Sequence, residues 1–241
     1  MKALLVPIAI LFPLNGNAFE INGIEFPDGI RSFADRVVEY TPGENVSSPY
    51  TNSVNIKGVP DYVSGGDPEY LSLGDEGEVI VQFTNNALTS SGDDSNDLWI
   101  FEIGSKLEPT DVYISKYGID WVSVGSTSGG TGGIDIDAFV NNGVELGASY
   151  SFVKIVDQLP TQSGSPWAGA DIDAVGAISS VEGGCGNQEE LAPATYDKNT
   201  GMLSIPSVLV DGKCYELELN GSSGLDIYEN ETYLRSSLSE K

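Results

Sequence analysis

Gly92-Asp93-Asp94-Ser95-Asn96-Asp97-Leu98-Trp99-Ile100-Phe101-Glu102-Ile103-Gly104 is the stretch on which the fold turns. An acidic loop runs straight into an apolar, aromatic segment. Successive side chains of a β-strand point to opposite faces, so a segment apolar at both parities predicts a strand covered on both sides. Glu102 is the exception, a carboxylate in the middle of that strand. Gly169-Ala170-Asp171-Ile172-Asp173-Ala174-Val175-Gly176-Ala177-Ile178 repeats the theme of acids feeding an apolar strand. The two stretches are expected to meet around a bound cation.

Outward from this centre the chain reads as short strands between turns. Val37-Val38-Glu39-Tyr40 is stopped by Pro42-Gly43. Glu78 to Thr84 puts Val79, Val81 and Phe83 on one face. Asp111–Ser115 and Ile119–Val124 flank Lys116-Tyr117-Gly118, a hairpin signal. Tyr150 to Val156 is a further strand, and Ala174 to Ile178 closes the series. Residues 44–70 are mostly turn-formers. No helical period of useful length and no internal repeat occurs. The expected fold is all-β, a β-sandwich or jelly roll over residues 19–182.

Beyond Glu182 the texture changes. Leu203–Val210 and Cys214–Leu219 predict strands joined by Asp211-Gly212, a dipeptide favoured in tight hairpins. Residues 183–228 therefore predict a small β-hairpin appendix. Residues 229–241 predict a polar tail, frayed or with a short helix at Thr232–Leu238.

Composition excludes more than it assigns. The 241 residues hold 36 acids against 11 bases, a formal charge of -25. Such a field repels nucleic acid, whose binding needs Lys and Arg to neutralise phosphates. It suits solubility and divalent cations. There is no histidine, which removes His-based triads and His-ligated metals. Met1 to Ala18 predicts a signal peptide: Lys2, an apolar run from Ala3 to Leu14, and small residues at Gly16-Asn17-Ala18. No segment is apolar for the roughly 20 residues a spanning helix needs. An exported product, secreted, periplasmic or on a bacterial cell surface, is expected. Cys185 and Cys214 are the only cysteines, and in an exported chain two cysteines are expected to pair.

The string Phe33-Ala34-Asp35-Arg36-Val37-Val38-Glu39-Tyr40-Thr41-Pro42-Gly43, Gly58-Val59-Pro60-Asp61-Tyr62, Leu71-Ser72-Leu73-Gly74, Val79 to Asn86, Asp97 to Gly104 and Gly169 to Ile178 resembles a bacterial exported domain family found in cell-surface proteins. Its fold is similar to the discoidin-like (galactose-binding-like) jelly roll. The resemblance covers about residues 33–180. It implies a non-catalytic, calcium-containing sandwich used in adhesion or carbohydrate binding, with a polysaccharide or a surface or matrix protein as partner.

Calcium takes six to eight oxygen ligands. Asp93, Ser95 and Asp97 place oxygens at alternate positions of a loop, Glu102 follows on a strand, and Asp171 and Asp173 share a face if extended. These six are the expected metal ligands. Asp135 and Asp137 have the same spacing and stand third in line. Gly at the sixth and Glu at the twelfth loop position are absent, which argues against an EF-hand. Two other readings of the acids stay open: a solvated loop with Glu102 paired to Arg36 or Lys154, or a glycoside-hydrolysing pair of Glu102 with Asp171 or Asp173. Trp167 and Tyr62, with Trp121 and Tyr117 behind them, are candidates for stacking on sugar, against the plainer reading of Trp167 as a loop anchor. Trp99 and Trp121 are expected in the core. Three functions follow: a binding or adhesion module, a secreted glycan hydrolase, or a purely structural envelope protein.

Overall fold

The computed structural model describes residues 18–104, 106, 108–158, 164–182, 195–197, 201–210, 213–220, 224–229 and 232–236. The expected signal peptide, apart from Ala18, lies outside these residues, as does Cys185 of the expected Cys185–Cys214 bridge. In chain order the strands are β1 (Phe19–Ile21), β2 (Ile24–Phe26), β3 (Arg36–Thr41), β4 (Leu71–Ser72), β5 (Glu78–Gln82), β6 (Asn86–Leu88), β7 (Leu98–Glu102), β8 (Thr110–Ser115) and β9 (Val122–Thr127). They continue with β10 (Gly132–Ile134), β11 (Phe152–Asp157), β12 (Asp171–Ala177), β13 (Ser180–Glu182), β14 (Thr195–Asp197), β15 (Met202–Val210), β16 (Lys213–Asn220), β17 (Gly224–Glu229) and β18 (Thr232–Ser236).

Two antiparallel sheets face one another. One has the order β3-β5-β11-β8-β9, the other β10-β7-β12-β4. Alternation makes the first sheet: in β11, Val153 and Ile155 are buried while Phe152 and Lys154 are half-buried. They meet Val79 and Val81 of β5 and Val112 and Ile114 of β8 in one apolar cluster with Leu98 and Ile100 of β7 and Ile172, Val175 and Ala177 of β12. Burying a Val or Ile side chain of this kind is worth about 1.5–3 kcal/mol before entropy is counted. The all-β sandwich is thus the observed architecture, with β6 and β13 paired beside it.

β7 and β12 are hydrogen-bonded neighbours, with Ile172 opposite Glu102 and Val175 opposite Ile100. The two stretches singled out in the sequence therefore lie side by side. Their second face is covered by the N-terminal segment. β1 and β2 form a hairpin through Asn22-Gly23, both at positive φ. Phe26 and Phe33 pack with Phe101 and Ala174 in a second apolar cluster, against which Trp99 also packs. The ring centroids of Phe26 and Phe33 stand 4.6 Å apart, and each is 6.0 Å from that of Phe101. Gly176 of β12 makes room for them, since a Cβ there would lie 2.6 Å from Phe26.

A knot of glycines joins the loops at one end of the sandwich. Gly43 donates its N–H to the Leu73 carbonyl, and Gly74 donates to Ala168. A Cβ on Gly77 would lie 1.9 Å from the Leu73 carbonyl oxygen, and one on Gly169 would lie 2.4 Å from that of Gly74. Backbones touch here with no space for side chains. Asp157, at the end of β11, ties the knot: its carboxylate accepts from Ala170 N–H at 2.8 Å and Glu76 N–H at 3.2 Å.

The C-terminal residues form their own antiparallel sheet in the order β14-β15-β16-β17-β18. Val210 pairs with Lys213, as the Asp211-Gly212 signal predicts, but the appendix is a five-stranded meander rather than a two-stranded hairpin. The register shifts between Ile205 and Val208, where Pro206 has no N–H to donate. Thr232–Ser236 is a strand paired to β17 rather than frayed tail or helix. Thr and Tyr favour the extended state, and Tyr233 stands opposite Tyr228.

Candidate functional site

Four aromatic residues from two connections, β3–β4 and β11–β12, gather at one cleft. Tyr50 lies in the long connection between β3 and β4, and its carbonyl accepts the Ser72 N–H. Tyr70 immediately precedes β4. Tyr62 sits in the Gly58–Tyr62 loop, which Asp173 anchors: its carboxylate accepts the N–H groups of Asp61 and Tyr62 at 3.4 and 3.5 Å. Trp167 is held by a bridge to Val46 and by the Ser47 N–H donated to the Pro166 carbonyl. The rings run in succession: Trp167 to Tyr50 at 5.6 Å, Tyr50 to Tyr70 at 5.7 Å, Tyr70 to Tyr62 at 5.5 Å. Trp167 is 43% exposed and Tyr62 36%. The cleft they border has a volume of about 470 Å³, with Ile103, Gly104, Lys106, Glu108, Gly164 and Asp171 as its other lining.

The carboxylates here are buried and crowded. Asp171, taking the Ser72 hydroxyl hydrogen bond, is pushed up to about 7, chiefly by burial and further by the charges of Glu108 and Asp157. Glu102 is pushed up to about 8, again chiefly by burial, then by Asp171 and Glu108. Its Oε2 accepts the Gly130 N–H, while its Oε1 is buried without a hydrogen-bond partner among the described residues. Asp157 and Asp173 are each raised to about 6, burial being the main cause. Neither Arg36 nor Lys154 serves Glu102. Arg36 donates to Gln82, and the Lys154 ammonium lies over the rings of Tyr113 and Trp121 at 4.9 and 5.0 Å. Trp121 is half-buried in that contact rather than in the core.

A second group assembles elsewhere. Carboxylate oxygens of Asp97, Asp135 and Asp137 lie within 4.8 Å of one another, the one such group of three among the described residues. Asp97, fully buried, accepts the N–H groups of Ser91 at 2.8 Å and Ile136 at 2.9 Å. Burial pushes its carboxyl up, against the hydrogen bonds it accepts. Asp135 caps the 3-10 turn Ile136–Asn142 by accepting the Asp137 N–H. Asp137 Oδ2 accepts from the Gly92 N–H and the Ser91 hydroxyl, while its Oδ1 is buried with no partner among the described residues. Asp93 and Ser95 bond each other in the adjoining loop, and those bonds hold the Asp93 carboxyl down. Of the six expected ligands, Asp97 alone belongs to the close group. Glu102 and Asp173 instead hold loops to β7 and β12, and Asp171 bonds the Ser72 hydroxyl of the neighbouring β4.

Trp167 and Tyr62, chosen from sequence, thus share one cleft, while Tyr50, Tyr70 and Glu108 went unrecognised. Their one signal was aromatic residues standing alone in turn-rich loops. No family model matches the chain, and no curated protein matches it.

Proposed function

We propose that this protein is an exported, non-catalytic binding module of the discoidin-like jelly-roll kind, which holds a glycan of a cell surface or matrix in the Tyr50–Trp167 cleft. The observation that carries this is the cleft bordered by four contacting aromatic rings, with Trp167 and Tyr62 exposed, beside buried carboxylates. Sugar rings present apolar faces to aromatic side chains and hydroxyls to polar groups, and a concave site with a few polar groups serves both. The motif string over residues 33–180 and its resemblance to exported surface domains support the same reading. The test is a glycan-array screen of residues 19–241. A bound glycan class is expected, with Trp167→Ala weakening it at least tenfold (about 1.4 kcal/mol). A screen with no ligand, or binding indifferent to Trp167→Ala, overturns the proposal.

The raised carboxyls of Glu102 and Asp171 favour a second reading, a glycoside hydrolase. Such an enzyme needs one protonated acid and one ionised partner. Here the same burial raises both, and Glu102 is absent from the cleft lining, so binding is the better account. Turnover of a polysaccharide that is lost in Glu102→Gln would reverse that preference.

Calcium fits Asp97, Asp135 and Asp137. The donor set is all carboxylate oxygen, and Asp137 Oδ1 has no other partner among the described residues. A hard cation is the chemistry such a set takes. It would fasten the 91–97 loop to the 3-10 turn at Ile136–Asn142. With Kd about 10⁻⁴–10⁻³ M, as for extracellular modules, 10 mM calcium stabilises by about 1.4–2.7 kcal/mol. That corresponds to a Tm rise of about 3–10 °C for a chain of this size. The rise is expected to vanish in Asp137→Asn, and scanning calorimetry with calcium against chelator checks it.

A further inference from the structure

We infer that the ligand of the aromatic cleft is cationic, an amine-bearing sugar chain that packs on the exposed rings of Trp167 and Tyr62 and whose ammonium group meets the carboxylate of Asp171. This rests on the binding reading above and adds the ligand's charge to it.

The rings are the first ground. Faces of Tyr and Trp rings carry negative quadrupole charge and attract cations as well as sugar faces. Trp167 meets Tyr50 and Tyr70 meets Tyr62 edge to face, at 71° and 81°, so the exposed Trp167 and Tyr62 offer two separate stacking surfaces, one at each end of the cleft.

The acids are the second ground. Asp171 and Glu108 line the cleft at 7% and 2% exposure. Glu102, 5% exposed, stands behind Gly104 of the cleft wall, its Oε1 being 3.9 Å from where a Gly104 Cβ would lie. Among the described residues neither Asp171 nor Glu102 has an ion-pair partner, the one ion pair being Lys116–Glu145. Lys106 is the one base lining the cleft. Buried charge needs an opposite charge or neutralises itself, and the raised carboxyls of Asp171 and Glu102 reflect that deficit. An acetylated or hydroxyl-only sugar leaves it standing. A primary ammonium supplies both the charge and three N–H donors, which a trimethylated amine lacks.

The test is titration calorimetry of residues 19–241 at about pH 7, where Asp171, raised to about 7, is partly ionised, with three probes: a β-1,4-linked glucosamine tetramer, its fully N-acetylated counterpart, and tetralysine. The glucosamine tetramer is expected to bind at least tenfold more tightly than either of the others, and more weakly as salt rises, since charge attraction is screened. Trp167→Ala and Tyr62→Ala, both at exposed positions, are expected to weaken it at least tenfold and threefold. Lys106→Gln, which removes the opposing charge, is expected to tighten it. Equal binding of the acetylated tetramer, with the Trp167 dependence kept, overturns the inference and leaves the glycan-binding proposal standing. Tetralysine binding as tightly as the glucosamine tetramer also overturns it. Glucosamine binding that ignores Trp167→Ala reduces the effect to attraction by an acidic surface and overturns both.

Discussion

Gly169→Ala is expected to lower the Tm by about 4–20 °C. Gly169 has φ +75°, the left-handed region, where an alanine costs about 1–2 kcal/mol. Its Cβ would also lie 2.4 Å from the Gly74 carbonyl oxygen and 2.8 Å from the Gly74 nitrogen. These are backbone atoms, pinned by the Gly74 N–H to Ala168 and the Leu73 N–H to Ala170 hydrogen bonds. They cannot rotate away as a side chain can, and relieving such a clash costs about 1–3 kcal/mol more. The sum, about 2–5 kcal/mol, moves the Tm by about 2–4 °C per kcal/mol in a chain of this size. Gly65→Ala separates the two causes. Its φ is +85° with nothing within 4 Å, so it bears the conformational cost alone. Thermal melts of both variants followed by circular dichroism check this, and equal losses would mean that the close approach contributes nothing. Ligand binding should suffer with Gly169→Ala, because Trp167 and Asp171 stand two residues to either side of it.

The second large effect is with pH. In the absence of cations, stability is expected to fall by about 3 kcal/mol between pH 5 and pH 8.5. Glu102 is raised to about 8, Asp171 to about 7, and Asp157 and Asp173 to about 6, from ordinary values of 4.5 and 3.8. Across this window the folded chain therefore holds protons that the unfolded chain has released. Stability falls with rising pH wherever the folded state binds more protons. One net unit at each of Glu102 and Asp171 already amounts to about 3 kcal/mol. Below about pH 3 both states are protonated and these groups add no further change. Tm measured in chelator across the range checks it, with Glu102→Gln and Asp171→Asn each flattening the curve. A Tm that rises with pH would show that the acids are ionised and paired in the fold.

Much of the sandwich was legible because its strands bury one face or both. Val79, Val81, Val153 and Ile155 alternate, and Leu98 to Phe101 is apolar at every position, which only a doubly covered strand tolerates. The cover itself was missed. Its signal was present in Asn22-Gly23 between Ile21 and Ile24, but each flanking strand is three residues long, too short to show a period. Thr232–Ser236 was taken for tail or helix because its pairing to β17 decides its state, and propensity alone does not. The acids were legible as a set but not by partner. Asp135 and Asp137 were seen as a pair; that they meet Asp97 depends on Asp97 donating its N–H to the Ile134 carbonyl across β7 and β10. Asp171 and Asp173 were seen to share a spacing. A register shift between Ile172 and Ala174 and the loops packed on β12 then sent them to different tasks.

Phe26 and Phe33 bear on where this unit begins. The sandwich proper starts at β3, and a boundary drawn by its sheets would cut just before Arg36. Such a cut would strip the rings from Phe101, Ala174 and Trp99 and leave the outer face of β7 and β12 open to water. Contiguous bare apolar surface on a soluble chain seeks a partner. Residues 19–33 are thus a third layer of the fold. A shortened form starting at Arg36 would trade a self-contained particle for one that sticks to its own copies.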